Sequence, residues 1–546
     1  MSNQLPSLVI SENTSIREVI DAFENSSEDL LLIDERTVVA EPHLELLTDY
    51  PRSASAALVA VQKNGNTLVR ANRIASASSL SHKVTIGNRD FVGVMRLSQN
   101  QREAILKALK EAVAFNLKGN ALDFVLVALV RATVRVDGVD IWSAPYSRSS
   151  DSAVRENVKK EIANLNIERV RLSMANRAND GFFSVFVLRK FSKLLTWVAV
   201  RIGATPNQVT TLSFLIGLYS AYLFSRGEFL PILFGAVLLQ VSIIVDCVDG
   251  ELARYTRKFS KLGAWLDAVT DRVKEYLVYL GLAYGAAKSG ENLWVPAMAL
   301  MLIQTFRHLS DYNFAQSIKI RNEEKFETPV DFTADFDGIV PTEREPKGRL
   351  RYWLGKIIQF PIGERWLAIS ASAVIGGAAF TFAVMPILAF ISAVVVFRGR
   401  IIRIRKIEKT SLKSNLIVTQ LDMLGVKRTF TSRASWIEPS ILRALEGTIL
   451  ISLFANKDLL GVTSFLILFA IVFHHYDNLY RALQNEAKPI WLNALGLNIG
   501  GRVLLLGIAI YSGWSLTIFA WYFGLIFLFF SSAQWVMAHK QNKVRP

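Results

Sequence analysis

The sequence predicts a multidomain chain in which a soluble α/β amino-terminal domain precedes an all-α polytopic membrane region. Two observations carry this. Up to about residue 180 the apolar stretches are short and broken by charge, whereas beyond it apolar runs of ~20 residues recur, the length a bilayer core requires. Within the first part, β-rich runs alternate with helical ones. Length and composition agree: 546 residues suffice for several domains, and 51% of them are hydrophobic. The expected domains are 1–180, 181–410 and 430–546.

In the first domain, DLLLID, SAALVAVQ and FVGVMRLS read as strands, and QNQREAILKALKEAVAFNL as a helix. The start, MSNQLPSLVISENTS, lacks the basic and then apolar pattern of a signal peptide. Next, FFSVFVLRKFSKLLTWVAVRIG interleaves Arg and Lys with apolar residues, as an amphipathic helix lying in the membrane interface does. Spans are expected at 207–225, 229–250, 264–287, 292–316, 364–382 and 384–402, then at 440–456, 460–480, 497–512 and 514–537. Loops on one side carry Arg254, Arg257, Lys258 and Lys261, then Lys319, Arg321, Lys325, Arg344, Lys347, Arg349 and Arg351, and finally RGRIIRIRKIEK. The other side has little beyond Arg226, Lys288 and Lys457. By the positive-inside rule the first side is cytoplasmic, which predicts an integral protein of the inner membrane with its amino-terminal domain in the cytoplasm.

The net charge of +15 follows the same logic. Its Lys and Arg gather in short loops beside spans, where anionic lipid head groups lie, and this excludes a nucleic-acid partner. The single cysteine, Cys247, allows no intramolecular disulfide and reads as packing.

The chemistry concentrates in DCVDGELARYTRKFSKLGAWLDAVTD, residues 246–271. Asp246, Asp249, Gly250 and Ala253 recur at i, i+3, i+4 and i+7, one face of a helix that begins in FGAVLLQVSIIV. Asp267 and Asp271 are four apart on the next helix, which Gly263 and Ala264 open with little bulk, so close approach of the two helices is expected. Four carboxylates at a membrane edge, with no His or Cys beside them, point to a hard divalent cation such as Mg²⁺ or Mn²⁺. In phosphoryl chemistry two such ions ~4 Å apart clamp the entering and leaving oxygens.

The pattern D-x2-D-G-x2-A-R-x8-G-x3-D-x3-D resembles the signature of the CDP-alcohol phosphatidyltransferase family, and every signature position is filled. The resemblance covers roughly residues 190 to 405. It implies a six-helix transferase bundle, followed here by about four further spans. It also implies a metal-dependent transfer of a phospho-alcohol group from a CDP-alcohol donor to a hydroxyl acceptor, with release of CMP. On that pattern Asp246, Asp249, Asp267 and Asp271 hold a two-metal site, with Asp271 also the catalytic base. Gly250, Ala253, Arg254 and Gly263 receive the CDP moiety.

Further polar residues lie inside the expected spans. Lys274 follows Asp271 by three residues and is read either as an acceptor-binding group or as the partner of Asp271 or Glu275. Arg307 is a second acceptor-binding candidate, with an intrahelical pair to Asp311 as the simpler account. In FHHYDNLYRAL, His474, Asp477 and Arg481 fall on one face as a metal site or proton relay, or as the usual polar end of an interfacial helix. The last spans would pack against the transferase or form a homodimer contact.

The amino-terminal order of strands and helices resembles a nucleotidyltransferase of the sugar-nucleotide type, with Asp34 and Asp137 or Asp140 at the positions of its metal-binding acids. The Gly-rich loop of that family is missing, so the domain is read as degenerate. Fusion of a cytidylyltransferase to a transferase of the membrane family is known for CDP-inositol chemistry, which tilts the expected alcohol toward inositol and leaves a bifunctional enzyme as the alternative. A transporter would place its site at the midplane between repeats, and the acids here sit at the edge. A non-catalytic scaffold would not need the full aspartate set.

Overall fold

The computed structural model of the protein describes residues 5–48, 54–70, 72–80, 82–114, 119–141, 144–175, 181–326, 346–405, 435–484 and 486–544. Among the basic loop residues, Arg344 and positions 406–409 lie outside these. The chain forms two compact units, Met1–Asn179 with Asn322–Thr342, and Asp180–Arg321 with Glu343–Pro546.

The first unit is a layered α/β domain. In chain order its elements are β1 (Ser7–Ile10), α1 (Ile16–Asn25), β2 (Leu30–Asp34), β3 (Thr37–Val38), α2 (Glu41–Thr48), β4 (Ser55–Val61), β5 (Thr67–Arg70), β6 (Arg73–Ala77) and β7 (Arg89–Leu97). There follow α3 (Arg102–Val113), α4 (Ala121–Arg131), β8 (Val136–Asp140), β9 (Ser147–Arg148), α5 (Ser152–Ala163) and α6 (Ile167–Met174). The sheet order is β1-β2-β7-β4-β8-β6-β5, and β3 pairs with β9 separately. Pairing is parallel between β1 and β2 and between β4 and β8, with β7 antiparallel to both β2 and β4. Strands β1, β2, β4 and β8 therefore run the same way, and Asp34 and Asp140 end at the same sheet edge. The two-residue period of β4 explains the layering. Ala57 and Val59 join the core under α1, α3 and α4, whereas Ala56, Leu58 and Ala60 join the opposite core with α2 and α6.

The second unit is helical: α7 (Arg189–Arg201), α8 (Pro206–Phe224), α9 (Phe229–Thr256), α10 (Lys261–Lys288), α11 (Trp294–Phe326), α12 (Pro346–Ile358), α13 (Ile362–Arg405), α14 (Glu438–Asn456), α15 (Val462–Leu483), α16 (Ile490–Gly496), α17 (Ile499–Tyr511), α18 (Leu516–Phe523) and α19 (Ser531–Val544). Among the described residues, four stretches are long and apolar enough to cross a bilayer by themselves: Phe229–Thr256, Ile362–Ile404, Val462–Leu483 and Leu516–Lys540. The bent pair α16–α17 adds a fifth if it counts as one span. The other expected spans are helical in α8, α10, α11 and α14 but do not meet that test, because these helices carry polar side chains turned into the bundle. Apolar side chains instead cover the outside: Phe234 is 60% exposed, Phe390 68% and Ile518 64%. Such a surface needs hydrocarbon around it, and the protein is an integral membrane protein.

Helix α13 refines one expectation. At 43 residues Ile362–Ile404 would be ~65 Å long as one rod, about twice a bilayer core, so it divides. The division falls at Gly376 (φ −145°, ψ 21°) and Gly377 (φ 67°, ψ −160°), ahead of the expected junction near residue 383. A positive φ with that ψ is open essentially to glycine alone, which explains why the break sits there and not at Pro386, which stays within the helix.

Candidate active site

Helix α9 ends with Arg257 in the left-handed conformation (φ 58°), and Ser260 then caps α10 by accepting a hydrogen bond from the Gly263 N–H at 2.9 Å. Across this turn the carboxylates of Asp246, Asp267 and Asp271 come together, each offering an oxygen within 4.8 Å of the others. The donor set is all oxygen, so a hard divalent cation fits it. Asp249 lies outside that set. It is buried, and its Oδ2 accepts a hydrogen bond from Thr210 Oγ1 at 2.5 Å.

Helix α8 packs on both α9 and α10 and supplies what sequence reading missed. Ser213 Oγ donates to Asp246 Oδ1 at 3.0 Å and accepts from Lys274 Nζ at 2.8 Å. Lys274 is fully buried, its Nζ 2.6 Å from Asp246 Oδ1 and 3.1 Å from Asp271 Oδ1. A Cβ on Gly217 would stand 2.6 Å from Lys274 Cδ, so this glycine of α8 leaves room for the lysine stem. The only sequence signal for these roles was the presence of hydroxyls in an otherwise apolar run. The expected close approach at Gly263 is also to α8 and not to α9: a Cβ there would come within 2.9 Å of Asn207 Oδ1. Gly250 lies beneath the Arg254 guanidinium, 3.2 Å from its Nη1 to an added Cβ, and Ala253 is partly buried beside them. Cys247 packs against the apolar core.

Glu275 does not pair with Lys274. Arg365 donates to both of its oxygens at 2.7 Å, and Tyr279 Oη and Gln304 Nε2 donate to Oε1 at 2.7 and 3.1 Å. The intrahelical pair of Arg307 with Asp311 is likewise replaced. Arg307 donates to the Gln359 carbonyl, and Asp311 pairs with Arg400, because α13 brings a second guanidinium, and the end of α12 a carbonyl, alongside α11. Arg307 Nη1 is buried with no hydrogen-bond partner.

His474, Asp477 and Arg481 are buried inside the bundle, with Arg481 in the last turn of α15. Arg481 Nε donates to Asp477 Oδ2 at 2.9 Å, Trp535 Nε1 donates to Asp477 Oδ1 at 2.7 Å, and Lys488 Nζ lies 3.0 Å from His474 Nδ1. These groups satisfy one another, which excludes the reading of an open metal site.

In the α/β unit the candidate acids are held by arginines. Asp34 is fully buried, with Arg36 Nη2 and Arg148 Nε each donating to its Oδ2 at 2.8 Å. Burial pushes its carboxyl up, but the Arg36 hydrogen bonds and the Arg148 charge outweigh this and hold it below the usual carboxylate range. Asp140 takes Arg89 at 2.6 Å, and Asp137, at the start of β8 and away from the Asp34 edge, takes Arg135 at 2.8 Å. The only acidic cluster of metal-ligand geometry among the described residues is that of Asp246, Asp267 and Asp271.

Fold and site together define a membrane-embedded helical bundle with a carboxylate centre at the junction of two helices. Residues 203–336 match the model of the CDP-alcohol phosphatidyltransferase family, so the chain carries a domain of that kind. Residues 363–544 match a family of unknown function, DUF5941. The chain is 41% identical over 117 residues to the bifunctional IPC transferase and DIPP synthase of Aquifex aeolicus (strain VF5), covering 21% of this chain and 26% of that protein. It is 42% identical over 84 residues to the archaetidylinositol phosphate synthase of Pyrococcus horikoshii, covering 15% of this chain and 43% of the other. The chain thus spans about a quarter of the first relative and less than half of the second. The solved inositol-1-phosphate CTP transferase from T. maritima aligns at a TM-score of 0.23 with 16% identity, over 28% of this chain and 64% of that one.

Proposed function

We propose that the membrane unit transfers a phospho-alcohol group from a CDP-alcohol to a hydroxyl acceptor, releasing CMP, in the synthesis of inositol-containing phospholipids or phosphodiesters. The observation that carries this is the convergence of Asp246, Asp267 and Asp271 within the segment that matches the transferase family. The name of the aligned archaetidylinositol phosphate synthase supports inositol as the alcohol. The basic loops support an orientation in which this edge meets the cytoplasm at the inner membrane, among anionic head groups.

In this reading Gly250, Ala253, Arg254 and Gly263 receive the CDP moiety, with the Arg254 guanidinium on its phosphates. Asp271 takes the proton of the acceptor hydroxyl as that oxygen bonds to the phosphorus bearing the alcohol, and the bond from that phosphorus to the CMP oxygen breaks. Mg²⁺ or Mn²⁺ held by Asp246, Asp249, Asp267 and Asp271 as a pair would supply neutralisation of charge on the diphosphate. Lys274 fixes Asp246 and Asp271 relative to each other, and the free Nη1 of Arg307 is available to an anionic or polyhydroxy acceptor. The arginines on Asp34 and Asp140 favour a scaffold role for the soluble unit over a second, cytidylyl-transferring activity.

The test is CMP release by the full-length protein in detergent with Mn²⁺, CDP-diacylglycerol or CDP-inositol, and a panel of inositol and glycerol acceptors. Release should require an acceptor, and Asp271→Asn should lower it by at least about 10²-fold, the scale of a lost general base. Release that ignores the acceptor, or survives in Asp271→Asn, would sink the proposal.

A further inference from the structure

Helices α15 and α19 belong to the segment that matches the family of unknown function, and both pack on α10. The contact is specific. The Trp265 ring of α10 stacks on the Trp535 ring of α19, with centroids 5.2 Å apart and planes inclined by 24°, and both side chains are buried. Trp265 Nε1 has no hydrogen-bond partner, so no hydrogen bond of its own fixes the ring, and the stack is what orients it. Trp535, in contrast, is held: its Nε1 donates to Asp477 Oδ1 at 2.7 Å, and Arg481, itself paired with Asp477, lies over its ring at 4.9 Å. A second tie, Lys261 Nζ to Glu486 Oε1 at 2.8 Å, joins the first turn of α10 to the segment after α15.

Trp265 precedes Asp267 by two residues and Asp271 by six. At 100° per residue these offsets are 200° and 240°, so the indole occupies the face of α10 opposite the two carboxylates. The carboxyl-terminal bundle therefore backs the helix whose front carries two of the three carboxylates of the acidic centre. We infer that Asp477 is a positioning residue for that centre, acting through Trp535 and Trp265 to hold Asp267 and Asp271 at their distance from Asp246. This assigns a task to the segment of unknown function: it sets the register and rotation of α10. The inference rests on the reading of these carboxylates as the transferase metal ligands. Partners that orient ligands from behind alter metal affinity by ~10- to 100-fold when removed.

The probe is Mn²⁺ itself, titrated into the full-length protein in detergent and followed by the electron paramagnetic resonance of the free ion. No turnover is needed, so failure of the proposed activity and failure of this inference are distinguishable. Asp477→Asn and Trp535→Ala should each weaken Mn²⁺ binding by about ten-fold with helicity by circular dichroism unchanged, and Trp535→Phe, which keeps an aromatic ring on Trp265, should fall between them and wild type. If Asp477→Asn does not fold, Trp265→Ala against Trp265→Phe reads the same contact from the other side. Mn²⁺ affinities equal to wild type in Trp535→Ala and Trp265→Ala would overturn the inference.

Discussion

At the scale of single residues, the centre depends on side chains that would be costly to bury anywhere else. Gly217→Ala would place a methyl group 2.6 Å from Lys274 Cδ, and this lysine has no free path because its stem is enclosed. We expect kcat for CMP release to fall by about ten-fold with KM little changed, since displacements of ~1 Å at a reacting centre cost up to ~10²-fold. In the α/β unit, two groups make stability depend on pH. Burial holds the His43 imidazole below its ordinary value, so on acidification the unfolded chain takes up a proton, below pH ~6.5, before the folded one does. Asp34 is held below the carboxylate range, so its contribution is present above pH ~3.9 and is lost as pH falls through its lower folded value. Both signs are the same. Hydrogen-exchange protection factors of α2 and β2 in the full-length protein, with the intrinsic pH dependence of exchange divided out, should fall in two steps between pH 8 and 3, and His43→Asn should remove the first. The motif aspartates were legible because their spacing repeats on a helix face. Thr210, Ser213 and Gly217 were not, because a hydroxyl or a glycine in an apolar run has no partner until the fold provides one.

At the scale of elements, period and length made the strands and most helices readable. The ends of β2 and β4 follow from runs of apolar residues broken by charge, and the caps at Ser15 and Thr205 close reciprocal hydrogen bonds with Glu18 and Gln208. What escaped was the exact junction in α13, since the span division was placed by length and two adjacent glycines within a membrane stretch are ordinary. There, Gly377→Ala meets no steric neighbour, so its whole cost is conformational, about 1–3 kcal/mol. Thermal unfolding in detergent should show the loss, while Gly399→Ala, also in open space but at a helical φ, should be neutral or stabilising.

At the scale of the whole molecule, the apolar exterior and polar interior of the second unit were foreseeable from composition, but the pairing of its buried charges was not. Glu275 and Arg365 are 90 residues apart, and only packing of α10 beside α13 brings them together. Glu275→Gln should cost ~3–5 kcal/mol by leaving a guanidinium uncompensated in an apolar core, measurable as a lower unfolding midpoint. Glu275→Met with Arg365→Met should recover much of it.

That ion pair also bears on how such a chain is inherited. Glu275 lies in the stretch that matches the transferase family, and Arg365 lies at the head of the stretch that matches the other. Shuffling either stretch with a distant relative would strand a charge inside the membrane unless the incoming piece brought its counterpart, so recombination that separates the two pieces is expected to be penalised.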